Sequence, residues 1–171
     1  LDWFYQAVPS PVSHPEIVTF LSDLNQAIRR DIRYVRREEA GVQSPDETLQ
    51  LRSGSCRDMT LLMIAACRQL GLAARFVSGY LYEPQTGSGA DGSYEGFNRA
   101  AGSMHAWVGI YLPGAGWKGF DPTNGILANG HFIPCAVALE PDAAAPTSGR
   151  YFAKQPTGSH MEFTLTVSAF Q

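Results

Sequence analysis

The 171 residues carry 13 Lys and Arg against 16 Asp and Glu, a net charge of −3 at neutral pH. So mild a charge supplies no field for nucleic acid or an anionic membrane surface, and no stretch approaches the ~18 apolar residues of a membrane span. An apolar fraction of 44% suits one domain with a real core, while three cysteines can neither close a disulfide framework nor, lacking a C-x-x-C pair, suggest zinc.

Residues 1–13 are aromatic and Pro-rich, with Pro9 and Pro11, and predict an extended lead-in. A first helix is expected over residues 15–36, where Ile17, Phe20, Leu21, Leu24, Ile28, Ile32 and Val35 recur at helical spacing. Its arginines, Arg29, Arg30, Arg33, Arg36 and Arg37, are interrupted by Asp31, Glu38 and Glu39 and read as a solvated face. Ser44, Pro45 and Glu47 make a capping-box start for a short second helix that ends near Arg52.

Ser55 and Asp58 repeat the capping-box form and place Cys56 in the first turn of a third helix. Met59, Leu62, Met63, Ala66, Cys67 and Leu70 form its apolar stripe, and Gly71 its stop. A thiol at a helix N-terminus is biased toward thiolate by the unpaired N–H groups and the helix dipole.

Strands follow at residues 74–82, and then a hairpin of 105–112 with 117–121 around Pro113, Gly114, Ala115 and Gly116. Weaker strand patterns lie at 131–138, 150–154 and 161–169. The Gly/Ser-rich loop 83–103 reads as a surface connection that borders a cleft with Tyr94 and Phe97. Helices followed by an antiparallel sheet predict an α+β domain.

Three residues in this order form a candidate site: Cys56 as nucleophile, His105 as general base, Asp121 as the group that orients the imidazole. If Tyr111 pairs with Trp117, Asp121 pairs with Trp107, and His105 lies two residues away on the same face. Asp121 then sits roughly 7–8 Å from His105 along the diagonal, a gap two side chains can close. The Cys56 backbone N–H is a natural oxyanion donor. Gln50, six residues upstream, is the candidate for a second, and Trp107 for a shield against water. Asn124 is the runner-up orienting group. Cys67 and Cys135 read as core residues, Asp58 as a cap, and His14, His131 and His160 as structural or loop residues.

G-S-C-R-D-M before an apolar helix, G-L-A-A-R-F-V-S-G-Y-L, H-A-W-V and G-W-K-G-F-D-P-T-N-G together resemble the bacterial transglutaminase-like domain family, from about residue 14 onward. The resemblance implies a papain-like α+β fold, with the catalytic Cys at a helix start packed on an antiparallel sheet. It also implies a Cys-His-Asp triad at Cys56, His105 and Asp121. Residues 14–171 are then the catalytic domain and 1–13 the remnant of a linker to an N-terminal β-rich domain. The chain departs from the family at Gly109, at residues 101–104 and at residues 139–142, positions that bear on cleft charge and not on the triad.

The expected activity is thiol-dependent amide hydrolysis of a peptide or protein through a thioester. The alternatives are transglutamination, in which an amine resolves that thioester, and a non-catalytic peptide-binding module. No cofactor, metal, nucleic acid or membrane is expected to take part. Free thiols favour a reducing, cytoplasmic compartment.

Overall fold

The computed structural model describes residues 3, 6, 16–37, 39–82, 104–145, 152–155 and 158. Helix α1 spans Ile17–Asp31 and buries Phe20, Leu21, Leu24, Ala27 and Ile28. Ile17, expected on that face, holds the first helical position and is exposed. The helix stops five residues short of the predicted end. Ile32 is extended, and the next two residues form strand β1 (Arg33–Tyr34), which pairs in parallel with β2 (Ser53–Gly54). Arg33 N–H donates to Arg52 O and Val35 N–H to Gly54 O, each at 2.9 Å. Ile32 inward, Arg33 outward and Tyr34 half-inward satisfy a period of two as well as a helical one, so tertiary pairing decides the matter.

Helix α2 (Pro45–Leu51) has the predicted capping box between Ser44 and Glu47. Arg52, which follows it, is left-handed at φ +50°. Helix α3 (Cys56–Gln69) ends as predicted at Gly71, φ +75°. Gly71 N–H bonds Arg68 O and Leu72 N–H bonds Cys67 O, which satisfies two of the last carbonyls in a Schellman arrangement.

The sheet contains β3 (Ala74–Leu81), β4 (Met104–Leu112), β5 (Gly116–Asp121), β6 (Ile126–Leu127) and β7 (Phe132–Ala138), in the order β6-β5-β4-β3-β7 with every pairing antiparallel. Phe76, Ala106, Val108, Ile110, Leu112 and Phe120 meet Met59, Leu62, Met63 and Cys67 of α3 and the apolar face of α1. Each large aliphatic side chain buried there contributes about 1.5–3 kcal/mol relative to exposure. Val77, Leu81, Trp107 and Phe132 form a second, smaller cluster. The predicted α+β architecture is therefore the observed one.

Several local expectations change. Trp3 and Gln6, the described residues of the lead-in, are helical rather than extended, and Trp3 Nε1 donates to Asp31 Oδ2 at 2.9 Å. Residues 152–155 form no strand, and Phe152 is fully in solvent. Cys135 is exposed, because β7 is the outermost of the described strands on that side of the sheet and turns this residue outward. His14, His160, Tyr94, Phe97 and the 161–169 strand pattern lie outside the described residues. Among the described residues no helix is long and apolar enough to cross a membrane.

Candidate active site

The sequence around Cys56 is fixed by its neighbours. Gly54 has no room for a side chain, since a Cβ there would stand 2.8 Å from Asp58 Cβ. Ser55 is the N-cap and Cys56 the first residue of α3, 9% exposed. Asp58 does more than the cap the sequence suggests. Fully buried, it accepts from Ser55 N–H at 2.7 Å, Ser55 Oγ at 2.8 Å and Gln43 N–H at 2.7 Å. Arg37 Nη1 donates to both its oxygens, at 2.9 and 2.8 Å. Arg57 donates to the carbonyls of Arg37 and Glu39. The chain before α2 is thereby stitched to the helix start that carries the thiol.

His105 lies on β4 and Asp121 ends β5. Tyr111 pairs with Trp117 in the register the hairpin predicts, and the ladder continues to Val108 and Phe120. His105 Nε2 and Asp121 Oδ2 are 2.9 Å apart, both side chains wholly buried. Asp121 is itself held. Its Oδ1 accepts from Thr123 N–H at 2.9 Å, and its Oδ2 accepts from Asn124 Nδ2 at 2.7 Å. Asn124 thus positions the carboxylate rather than the imidazole, a role that its place beyond Pro122 does not suggest.

Helix α1 grips the turn that follows. Asn25 Nδ2 donates to Ile126 O at 3.1 Å and Gln26 Nε2 donates to Gly125 O. Nothing in the spacing of Asn25 and Gln26 marks them for this task, because their partners are about a hundred residues away. Gly125 is left-handed at φ +69°, and a Cβ on it would lie 2.7 Å from Arg29 Cδ. Gly125→Ala should therefore cost about 1–3 kcal/mol by urea unfolding, through backbone strain and collision together.

Trp107 and Phe132 enclose the imidazole. Their ring centroids are 6.3 and 6.1 Å from that of His105, and Trp107 is stacked on it. Trp107, 4% exposed, is thus a cover for the ring and not the wall of an open cleft. Burial works against the imidazolium, but the hydrogen bond to Asp121, then the Cys56 thiol beside it, hold the cation and push its pKa up to about 9. The other ring nitrogen, Nδ1, is buried and makes no aligned hydrogen bond, so it is left for the thiol. Cys67 differs: burial alone pushes its pKa up to about 12, which leaves it inert.

Gln50 is exposed on α2. Gln43 is the glutamine that the fold sets beside β2: its Oε1 accepts from Thr48 Oγ1 and lies 3.2 Å from where a Gly54 Cβ would be. The first-turn N–H of Cys56 has no acceptor within its helix. Among the described residues no group of three or more His, Cys, Asp and Glu could hold a metal ion.

Residues 7–122 match the sequence model of the transglutaminase-like superfamily. An uncharacterized protein of Mycobacterium tuberculosis is 34% identical over 133 residues, 74% of this chain and 40% of that protein. Another, from Bacillus subtilis, is 34% identical over 85 residues, 48% of this chain and 11% of that protein. The chain thus spans well under half the length of the curated relatives it matches. In fold it resembles a candidate cysteine protease from Cytophaga hutchinsonii, with a TM-score of 0.64, 22% identity and coverage of 84% of this chain and 43% of that one. It also resembles LapG of Legionella pneumophila, with a TM-score of 0.54, 13% identity and coverage of 81% and 74%.

Proposed function

The chain belongs to the transglutaminase-like superfamily, and from that premise we propose that it is a cysteine-dependent amide hydrolase whose substrate is a peptide or protein. The observation that carries the reading is the buried 2.9 Å bond between His105 Nε2 and Asp121 Oδ2, with the opposite ring nitrogen unpaired beside a thiol at a helix start. In this reading the proton that the ring retains on Nδ1 is the one Cys56 Sγ has passed to it, and the thiolate attacks the amide carbonyl. The tetrahedral oxyanion is met by the Cys56 N–H. As the C–N bond breaks, Nδ1 returns the proton to the departing amine and a thioester remains. Water, deprotonated by the same nitrogen, then releases the acid and restores the thiol. Asp121, bonded to Nε2, keeps the ring oriented throughout and stabilises its cation. Residues 14–171 form the catalytic domain in this proposal, and three unpaired thiols suit a reducing, cytoplasmic setting.

Two measurements test this. Alkylation at mildly acidic pH, mapped by mass spectrometry, should modify Cys56 ahead of the exposed Cys135, spare Cys67, and lose its preference for Cys56 in His105→Ala. Exposure alone predicts the reverse order for Cys56 and Cys135. Incubation with a mixed peptide pool should generate new amino termini, and Cys56→Ala should abolish them. If a labelled primary amine enters glutamine residues faster than new termini appear, the acceptor is an amine and hydrolysis is the wrong outcome. If Cys56 reacts like an ordinary thiol, the enzyme reading fails.

A further inference from the structure

The arginines that the sequence presents as a solvated face do not all point into open water. The half-buried Arg29 and the exposed Arg30, Arg33 and Arg52 line, with Tyr34, an open cavity of about 620 Å³. Among the described lining residues Asp31 is the sole carboxylate, and it is already engaged by Arg30 at 2.6 Å and by Trp3 Nε1. Arg33 and Arg52 form no ion pair among the described residues, and the Nε of Arg29 is buried without a partner. A clustered surplus of guanidinium groups favours an anion, and their planar donor sets suit a carboxylate.

Arg52 adds a second observation. Its φ of +50° is a conformation in which glycine would sit more easily, yet an arginine stands there, its carbonyl accepting from Arg33 N–H.

The cavity also adjoins the candidate site on two sides. Tyr34 pairs with Gly54, two residues before Cys56. Arg29 packs on Gly125, in the turn that follows Asp121. The Tyr34 phenol feels both ends: burial, then the charge of Cys56, push its pKa up, Arg36 opposes this, and Asp121 adds to it.

We propose that this cavity is a carboxylate-binding subsite, in which Arg29, Arg33 and Arg52 receive an acidic side chain of the peptide whose backbone reaches Cys56. The proposal rests on the amide-hydrolase reading for its substrate and supplies that substrate's chemistry, an acidic peptide.

The test measures binding and needs no turnover. Cys56→Ser protein is titrated at low salt with a short Glu-rich peptide, with its Gln counterpart and with citrate. The Glu peptide should bind at least roughly tenfold more tightly than the Gln peptide, and salt should erode the difference. Arg33→Gln with Arg52→Gly should abolish it. Because Arg52→Gly relieves the left-handed strain, that single variant should melt no lower than the parent while binding the Glu peptide more weakly, which separates a ligand role from a structural one. Equal binding of the two peptides, or a preference that survives the double variant, overturns the proposal. Citrate binding without Glu-peptide binding also overturns it, in favour of a site for small anions. Failure of the hydrolase reading is seen separately, as absent turnover by the parent protein while the Glu preference persists.

Discussion

Asp58→Ala should lower the stability of the fold by about 3–5 kcal/mol, the range seen when one partner of a buried ion pair is removed. The carboxylate is fully buried and takes both contacts of Arg37 Nη1, whose side chain is 21% exposed. Its removal leaves that guanidinium only the longer 3.8 Å contact with Glu39 and strands the N–H groups of Gln43 and Ser55. A net stability of about 5–15 kcal/mol is usual for a domain, so the variant should approach unfolding at physiological temperature. Asp58→Asn keeps one oxygen acceptor and should fall between the two. Urea unfolding measures both, and a loss of less than about 1 kcal/mol in the alanine variant would mean that Asp58 acts only as an exposed cap does. The pH dependence has a definite sign. Burial favours the neutral acid, but Arg37, Gln43 and Ser55 outweigh it and hold the pKa of Asp58 below the usual 3.8. This stabilisation is present above that value and is lost as pH falls through the folded-state pKa.

Such a clamp marks the boundary of what the sequence discloses. Ser55 and Asp58 are three residues apart, so the cap is a local pattern that spacing alone exposes. Arg37 and Gln43 reach the same carboxylate from 21 and 15 residues away, across a segment with no period to read. The hairpin is legible for a comparable reason. Pro113, Gly114, Ala115 and Gly116 fix the turn, two of its glycines are left-handed, and Tyr111 opposite Trp117 then dictates which face His105 and Asp121 share. What holds Asp121 is half hidden. Asn124 lies in the same short motif, whereas Asn25 and Gln26, which hold the turn after it through the carbonyls of Ile126 and Gly125, arrive from α1. Cys135 misleads because an apolar run does not distinguish a central strand from an outer one, and only the strand order places β7 outermost among the described strands. The end of α1 is hidden because the β1–β2 ladder is a contact between distant segments that each look locally like something else.

The His105–Asp121 pair should make the protein less stable as the solution becomes more alkaline. The folded-state pKa of His105 is raised from 6.5 to about 9, so the native state holds a proton that the unfolded chain releases earlier. Its contribution is complete below pH 6.5, declines between 6.5 and about 9, and is gone above that. The total is on the order of 3–4 kcal/mol, since each tenfold gain in proton affinity corresponds to about 1.4 kcal/mol. Asp121 is the larger favourable cause and the Cys56 thiol the smaller, so Asp121→Asn should flatten most of the slope and Cys56→Ser a smaller part. Stability measured by urea across that interval gives the slope, and NMR titration of the His105 ring gives the pKa itself. A slope that Asp121→Asn leaves untouched would mean that the ring is neutral when buried, and a flat profile in the parent would mean that the ring's proton is the one Cys56 gives up. The same proton links stability to chemistry. A ring that holds its cation firmly retains the proton it has taken from Cys56 but surrenders it slowly to a leaving amine, so Asp121→Asn should impair the first transfer and ease the second. Thiol alkylation reads the first transfer and release of the amine product reads the second. If alkylation of Cys56 and amine release fell in equal proportion, Asp121 would be acting by orientation alone.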